Sequence, residues 1–275
     1  MIKHVDGIDS PARRETRGTG GRPGKVYLIG AGPGDPELLT LKAARLLADA
    51  QTVVFDHLVG ERILERINPA ARMIYAGKEA GHHALPQDQI NHLLVELARS
   101  GRSVVRLKGG DPFMFGRGGE EREELLACGI ECEVVPGITA ACGISACTGI
   151  PLTHRDHARS VIFTTGHLKD GSVDLDWPAL ARPKQTVVIY MGLGALGIIC
   201  GQLMAHGLPA DTPAAVVHGG TTSSQVVVTD RLDRLPGAVK RAQIKSPALI
   251  MIGSVVSLHA LPGGLSHTDQ FAMTA

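Results

Sequence analysis

Aromatic side chains are scarce in this chain, 3% of 275 residues, and neither sign of charge predominates, with a formal net charge of +1 and 20% charged residues. An RNA-reading protein would carry stacking aromatics and a basic face, so both shortages argue against that class. No global field draws the chain to nucleic acid or to an acidic membrane, and any anionic ligand must be met locally. The five cysteines are an odd number. Their spacings, Cys128 to Cys132 and Cys142 to Cys147, contain no CxxC pair suited to zinc. They read as reduced, small, buried residues, and no metal is expected. The first residues lack the apolar core of a secretory signal, so the cytoplasm is the expected compartment. One uncharged stretch, residues 186–205, includes Gly197 and Gly201 spaced as in packed membrane helices. Its β-branched and aromatic start, followed by Gly192 and Gly194, breaks any continuous helix. It reads as a strand, a loop and a buried helix, and no membrane span is expected.

What is present is enough apolar residue, 44%, for two ordinary cores. Residues 1–24 are polar, rich in Arg and Gly, and without periodicity, which predicts a disordered N-terminal arm. Residues 25–148 alternate short β-branched runs with helical patterns, the signature of an α/β domain, with strands expected at 25–29, 52–55, 72–75, 103–107 and 132–135. Asp35 is placed as an N-cap with Pro36 at the first helical position, and Leu38, Leu39, Leu41, Leu46 and Leu47 supply an apolar stripe. A second helix begins near Pro86, repeats Ile90, Leu93, Leu94 and Leu97 at helical spacing, and stops at Gly101. After a Gly-, Pro- and His-rich connection, residues 149–261 form a second α/β domain with strands at 161–165, 186–190, 214–217, 225–229 and 248–252. Fewer intervening helices predict a mixed sheet there. Residues 262–275 read as a tail.

Three loops carry the chemistry. Gly30-Ala31-Gly32-Pro33-Gly34-Asp35 follows a strand and opens a helix, where a dinucleotide fingerprint would sit, but Asp35 replaces the third glycine. Its carboxylate at a helix start repels a pyrophosphate, so a ligand without phosphate fits better and a nicotinamide-dependent oxidoreductase is disfavoured. The long loop from Gly109 to Glu121 again leaves the carboxyl end of a strand, where open α/β sheets collect ligands, and it offers Arg117 and Glu120 beside a glycine floor. Pro136-Gly137-Ile138-Thr139-Ala140-Ala141 is the third strand-end loop, although helix packing alone would explain its small residues. Three such loops suggest one cleft. Thr153-His154-Arg155-Asp156-His157 contains HRD without the other kinase signatures, so a kinase is rejected. His154 and His157 read as solvated loop residues, and Arg155 as an anion contact.

Taken together, VYLIGAGPGDPELLTLKA, RLKGGDPFMFGRGGEE, VVPGITAA, GIPLTHR, YMG and SPALIMIG, in that order from about Lys25 to Leu261, resemble the uroporphyrinogen-III C-methyltransferase family. The resemblance implies two α/β domains with a cleft between them, of the tetrapyrrole methylase kind and not a Rossmann methyltransferase, in a homodimer. It implies S-adenosylmethionine as methyl-donating co-substrate and uroporphyrinogen III as substrate, methylated at C2 and C7 to give precorrin-2 and S-adenosylhomocysteine. Pro33, Gly109, Gly110, Asp111, Met114, Thr139, Ala140, Met191 and Gly220 are then similar to cofactor contacts. Asp56 and Lys78 are similar to residues proposed for proton transfer, with Glu79 standing where the family has a basic residue. For the polycarboxylate substrate, Arg117 and Arg155 are the expected bidentate anchors, and Glu120, like Asp56, a candidate base. The chain lacks the dehydrogenase and chelatase region of fused members, so it is expected to stop at the dimethylated product, on a route to sirohaem, cobalamin or haem d1. The rivals are a related methyltransferase acting on a later corrin intermediate or on RNA, the oxidoreductase, and a catalytically silent cofactor sensor.

Overall fold

A computed structural model describes residues 22–77, 85–166 and 173–260. Most of the expected N-terminal arm and the whole tail therefore lie outside the described residues, as does Lys78. The chain divides into two compact units, residues 1–138 and 139–275.

In unit 1, strands β1 (Val26–Gly30), β2 (Thr52–Phe55), β3 (Arg72–Tyr75), β4 (Val104–Lys108) and β5 (Cys132–Val135) form one sheet in the order β3-β2-β4-β1-β5. Every pairing is parallel. Helices must then return the chain across the faces. Ala43 and Leu47 of α1 (Leu41–Ala48) and Ile63 of α2 (Glu61–Leu64) pack on one face with Ile29, Val53 and Leu107. Ile90, Leu94 and Ala98 of α3 (Gln87–Arg99) and Leu125 of α4 (Gly118–Ala127) pack on the other with Leu28, Val54 and Val104. β1 thus leads to a helix on one face and its neighbour β4 to a helix on the opposite face. Such a reversal opens a crevice at the carboxyl ends of the two strands, the place where ligands bind in open α/β sheets.

Asp35 caps only a single 3-10 turn, Pro36–Leu38, its Oδ1 accepting from Glu37 N at 3.0 Å. The α-helix begins later, with Thr40 Oγ1 accepting from Ala43 N at 3.2 Å. That restart resets the helical phase. Leu41, expected in the apolar stripe, is 91% exposed, and Ala43 takes the buried position beside Leu47. Gly101 does end α3, with φ at +82°.

Unit 2 contains α5 (Ala140–Thr148), β6 (Ser160–Thr165), α6 (Trp177–Leu180), β7 (Gln185–Tyr190), α7 (Leu196–Ala205), β8 (Pro213–His218), β9 (Val226–Arg231), α8 (Leu235–Arg241) and β10 (Ala248–Ile252). The sheet order is β6-β7-β10-β8-β9, with β6 and β7 parallel and every other pairing antiparallel. This is the mixed sheet expected from the sequence. Alternate residues of β8 face opposite cores: Ala214 and Val216 meet Ile199 of α7 and Val239 of α8, while Ala215 and Val217 meet Ala141 and Ile144 of α5. Because α5 covers this sheet, the division falls before it, ten residues earlier than the expected 148/149 boundary. Residues 186–205 form all of β7 but its first residue, a 3-10 turn and α7, and among the described residues no helix is long and apolar enough to cross a membrane.

All five cysteines are free, and Cys200 is the buried one, its thiol pushed up to about 12 by desolvation. Cys142 is exposed, contrary to the expectation that all five are buried. Its position on α5 turns it away from the sheet that Ala141 and Ile144 cover. No group of residues that could hold a metal ion occurs among the described residues.

Candidate functional site

At the carboxyl edge of the unit 1 sheet the three glycine loops are fastened to one another. Gly32 N donates to Gly110 O at 3.1 Å, Gly110 N donates to Gly32 O at 2.8 Å, and Ala31 N donates to Lys108 O at 2.7 Å. Asp111 ties in the third loop, one carboxylate oxygen accepting from Gly137 N at 3.0 Å and the other from Phe113 N at 2.9 Å. The backbones approach so closely that a Cβ on Gly137 would lie 2.3 Å from Gly110 O, and one on Gly30 would lie 2.6 Å from the same atom. Only glycine fits. Gly109, Gly110, Asp111 and Met114 thus share the edge with the Pro33 loop, all half-buried. A ligand here would meet backbone and small residues, with the Asp35 carboxylate close to the loop, which suits a donor without phosphate.

Beneath these loops lies a set of buried charges that the sequence reading missed. Arg106 and Lys108 project from the same face of β4 and are 3% and 4% exposed, and Glu121 at the start of α4 is fully buried. Glu121 Oε1 accepts from Lys108 Nζ at 2.7 Å, Arg106 Nε at 3.2 Å and Gln87 Nε2 at 3.3 Å. Arg106 Nη2 reaches Asp56 Oδ2 at 2.9 Å, and Asp56 Oδ1 accepts from Leu58 N at 3.1 Å. Desolvation, then repulsion from Arg106, holds the Lys108 ammonium below its usual range, against the attraction of Glu121. The available signal was the pattern of β4, in which cations alternate with Val105 and Leu107 in an otherwise apolar strand. A carboxylate had to be waiting for them inside.

Arg117 and Glu120, expected as substrate anchor and base, are exposed and bind each other through two bonds, Nε to Oε1 at 2.8 Å and Nη2 to Oε2 at 2.7 Å. This fork raises the Arg117 guanidinium and lowers the Glu120 carboxyl from their usual ranges. Arg117 also takes a left-handed backbone, φ 58°, an unfavourable conformation of the kind that collects in functional loops. Glu120 bound in this way is a weakened base.

In unit 2, β7 and β8 both run antiparallel to β10, so their carboxyl ends fall on one edge of the sheet. Met191 follows β7, 54% exposed and left-handed at φ 53°, and Gly220 follows β8. Gly220 is buried, and a Cβ there would lie 2.2 Å from Ile144 Cγ1. Thr139 and Ala140 start α5 without a side-chain cap. Tyr190 supplies one, its hydroxyl bonding Thr139 Oγ1 at 2.7 Å and accepting from Ala141 N at 3.0 Å. Tyr190 therefore links Thr139 to Met191, its own neighbour. Arg155 lies exposed in the turn closed by the His154 and Ala158 backbones, with no ion-pair partner among the described residues.

The sequence matches the family model for tetrapyrrole (corrin/porphyrin) methylases over residues 25–236. The chain belongs to this family. Siroheme synthase of Nitrosospira multiformis is 60% identical over 236 residues, covering 86% of this chain and 50% of that protein. The chain thus spans about half the length of the curated relatives it matches. The structure of uroporphyrin-III C-methyl transferase from Thermus thermophilus, complexed with S-adenyl homocysteine, is 41% identical and superposes with a TM-score of 0.73, covering 85% of this chain and 93% of that one. A cobalt precorrin-4 methyltransferase of cobalamin biosynthesis is 29% identical with a TM-score of 0.75, covering 84% and 95%. The fold is that of a tetrapyrrole methylase and not of a Rossmann methyltransferase, and the family's methyl donor is S-adenosylmethionine.

Proposed function

We propose that this methylase transfers two methyl groups from S-adenosylmethionine to C2 and C7 of uroporphyrinogen III, giving precorrin-2 and S-adenosylhomocysteine. The observation that carries the substrate is the 41% identity to the Thermus uroporphyrin-III enzyme across 93% of that chain, against 29% to the cobalt precorrin-4 enzyme. The relatives' names favour the sirohaem route for the product.

When bound, S-adenosylmethionine supplies an already activated methyl on its sulfonium, so the protein's task is alignment and exclusion of water. The rigid knot of Gly30, Gly32, Gly110 and Gly137, closed by Asp111, provides a fixed floor for it in unit 1. Gly109, Met114 and Pro33 line that floor, while Thr139, Ala140, Met191 and Gly220 are the contacts assigned to unit 2. A ring proton must leave as the carbon–methyl bond forms, and Asp56 is the carboxylate assigned to accept it. It is oriented by two hydrogen bonds and its side chain is 19% exposed. Glu120, held by Arg117, is the less suited of the two candidate carboxylates to take a proton. Arg117 and Arg155 are assigned to the substrate carboxylates. Lys78 is assigned a part in proton transfer from the family resemblance alone.

Anaerobic incubation with uroporphyrinogen III and S-adenosylmethionine should yield a product heavier by two methyl groups. An unchanged tetrapyrrole, with methylation of a precorrin-4-like compound instead, would replace this reading by the later-intermediate one.

A further inference from the structure

The reaction as proposed uses the half-buried Asp56 and leaves the buried charges linked to it, Arg106, Lys108 and Glu121, without a task. As a stabilising device the set is poor, because buried ion pairs rarely repay their desolvation and apolar replacements are often neutral or stabilising. Its geometry is nevertheless highly directed. Arg106 is held on three sides, by Glu121 Oε1 at 3.2 Å, by the Leu107 carbonyl at 3.1 Å and by Asp56 Oδ2 at 2.9 Å. Glu121 Oε1 collects donors from β4 and α3, while its Oε2 is buried with no hydrogen-bond partner among the described residues. The burden falls on the oxygen that faces the cations. At the other end, the Asp56–Leu58 turn lies against the Gly109 loop, since a Cβ on Gly109 would be 2.7 Å from Leu58 Cβ.

We propose that Arg106 is a positioning residue for the methyl transfer: anchored by Glu121 and the Leu107 carbonyl, it fixes the Asp56 carboxylate at the end of β2 in register with the Gly109 loop. The inference rests on Asp56 accepting the ring proton. It explains why two cations and a carboxylate are buried under an otherwise glycine-built site.

The test compares Asp56→Asn, Arg106→Met, their double variant, Arg106→Lys, and the wholly apolar Arg106→Met/Lys108→Met/Glu121→Leu. Folding is read by calorimetric binding of S-adenosylhomocysteine, and kcat and KM by anaerobic methylation of uroporphyrinogen III. The apolar triple should bind S-adenosylhomocysteine within about 2-fold of wild type yet lose about 100-fold in kcat at little-changed KM, the scale of a small misplacement at the reacting centre. Arg106→Lys should recover only part, because it lacks the fork. Adding Arg106→Met to Asp56→Asn should cost less than about 3-fold more, since the arginine acts through the carboxylate. Wild-type kcat in the triple or in Arg106→Lys, or losses that multiply in the double variant, would overturn the proposal while leaving Asp56 its role. Loss of S-adenosylhomocysteine binding in both Arg106→Met and the triple would make the set a folding element and overturn it too. Wild-type kcat in Asp56→Asn would remove both the proton acceptor and its positioning residue. A wild-type protein that binds S-adenosylhomocysteine and leaves uroporphyrinogen III unmethylated would instead overturn the substrate reading, and the proposal with it.

Discussion

The two units build their sheet edges from the same kind of material and distribute polarity differently. In unit 1 all five strands are parallel, so every carboxyl end opens on one edge. The buried charges of the described residues, Arg106, Lys108 and Glu121, all lie in this unit. In unit 2, β9 and β10 are reversed, and among the described residues the buried polar side chains of that half are Thr148 and Thr186. The central strand β10, ALIMI, contributes apolar residues to both cores. A parallel edge concentrates functional groups because each strand delivers one loop to the same place. A mixed sheet gives up part of that edge, and in unit 2 Met191 follows β7 on an apolar frame.

This contrast is sharpest at the glycines. Gly137→Ala would press a methyl against a backbone carbonyl that two loops hold in place, whereas Gly220→Ala would press on the Ile144 side chain. Chemical denaturation should show a loss of about 3 kcal/mol or more for the first and about 1–2 kcal/mol for the second, the range of overpacking. Combining Gly220→Ala with Ile144→Ala should cost less than the sum of the two single changes. No double change of side chains should rescue Gly137→Ala. Equal losses at both sites would break the distinction between a backbone knot and a packed side chain.

A smaller difference is expected between the arginines. Arg117 must exchange Glu120 before it can hold a substrate carboxylate, and Arg155 has no such partner among the described residues. Arg155→Leu should therefore raise the tetrapyrrole KM by about 10–100-fold, as for a lost charge-assisted bond of about 1.5–3 kcal/mol. Arg117→Leu should raise it less, by under about 10-fold, because the pair it breaks is a surface one worth about 0–1 kcal/mol. S-adenosylhomocysteine affinity, measured by calorimetry, should be unchanged in both. The reverse order would mean that Glu120 preorganises Arg117 more than it competes for it.

The strands were legible almost residue by residue. Runs such as Thr52–Phe55 and Ala248–Ile252 combine β-branched content with clear turn signals at their ends. The restart of the helix at Thr40 was not, because Asp35-Pro36 is as good a helix opening as Thr40 and only tertiary packing selects between them. Nor was the unit boundary, since a helix of small residues such as α5 can cover either sheet. Of the candidate site, the three loops could be found because strand ends are visible in sequence. The Arg106 set could not be assembled that way. Arg106 and Lys108 in β4 signal that a buried carboxylate is needed, but the other members lie on separate elements, and which carboxylate serves is visible only once the covering helix is in place. Asp56 was named from resemblance, and its partner emerged only from the fold.

The smallest effect concerns the outer face of β5, where Lys25 and Lys42 both bind Glu133 and hold its carboxyl down at about 2. A carboxyl lowered in the folded state contributes stability above its unfolded value and loses it as the pH falls through the folded one. Glu133→Gln should thus lower Tm at pH 7 by under about 2 °C, as expected of a solvent-screened pair, and less in high salt. The difference from wild type should shrink between pH 4.5 and about 2. A difference that persists at the acid end would assign the effect to packing.

The central claim, that the glycine edge of unit 1 serves two methyl transfers to uroporphyrinogen III, is tested most directly by labelling. Anaerobic turnover with S-adenosylmethionine carrying a ¹³C methyl group, followed by NMR of the product, should show two labelled methyls, at C2 and C7. A single labelled methyl at another position, or label that enters only a later corrin intermediate, would contradict the account.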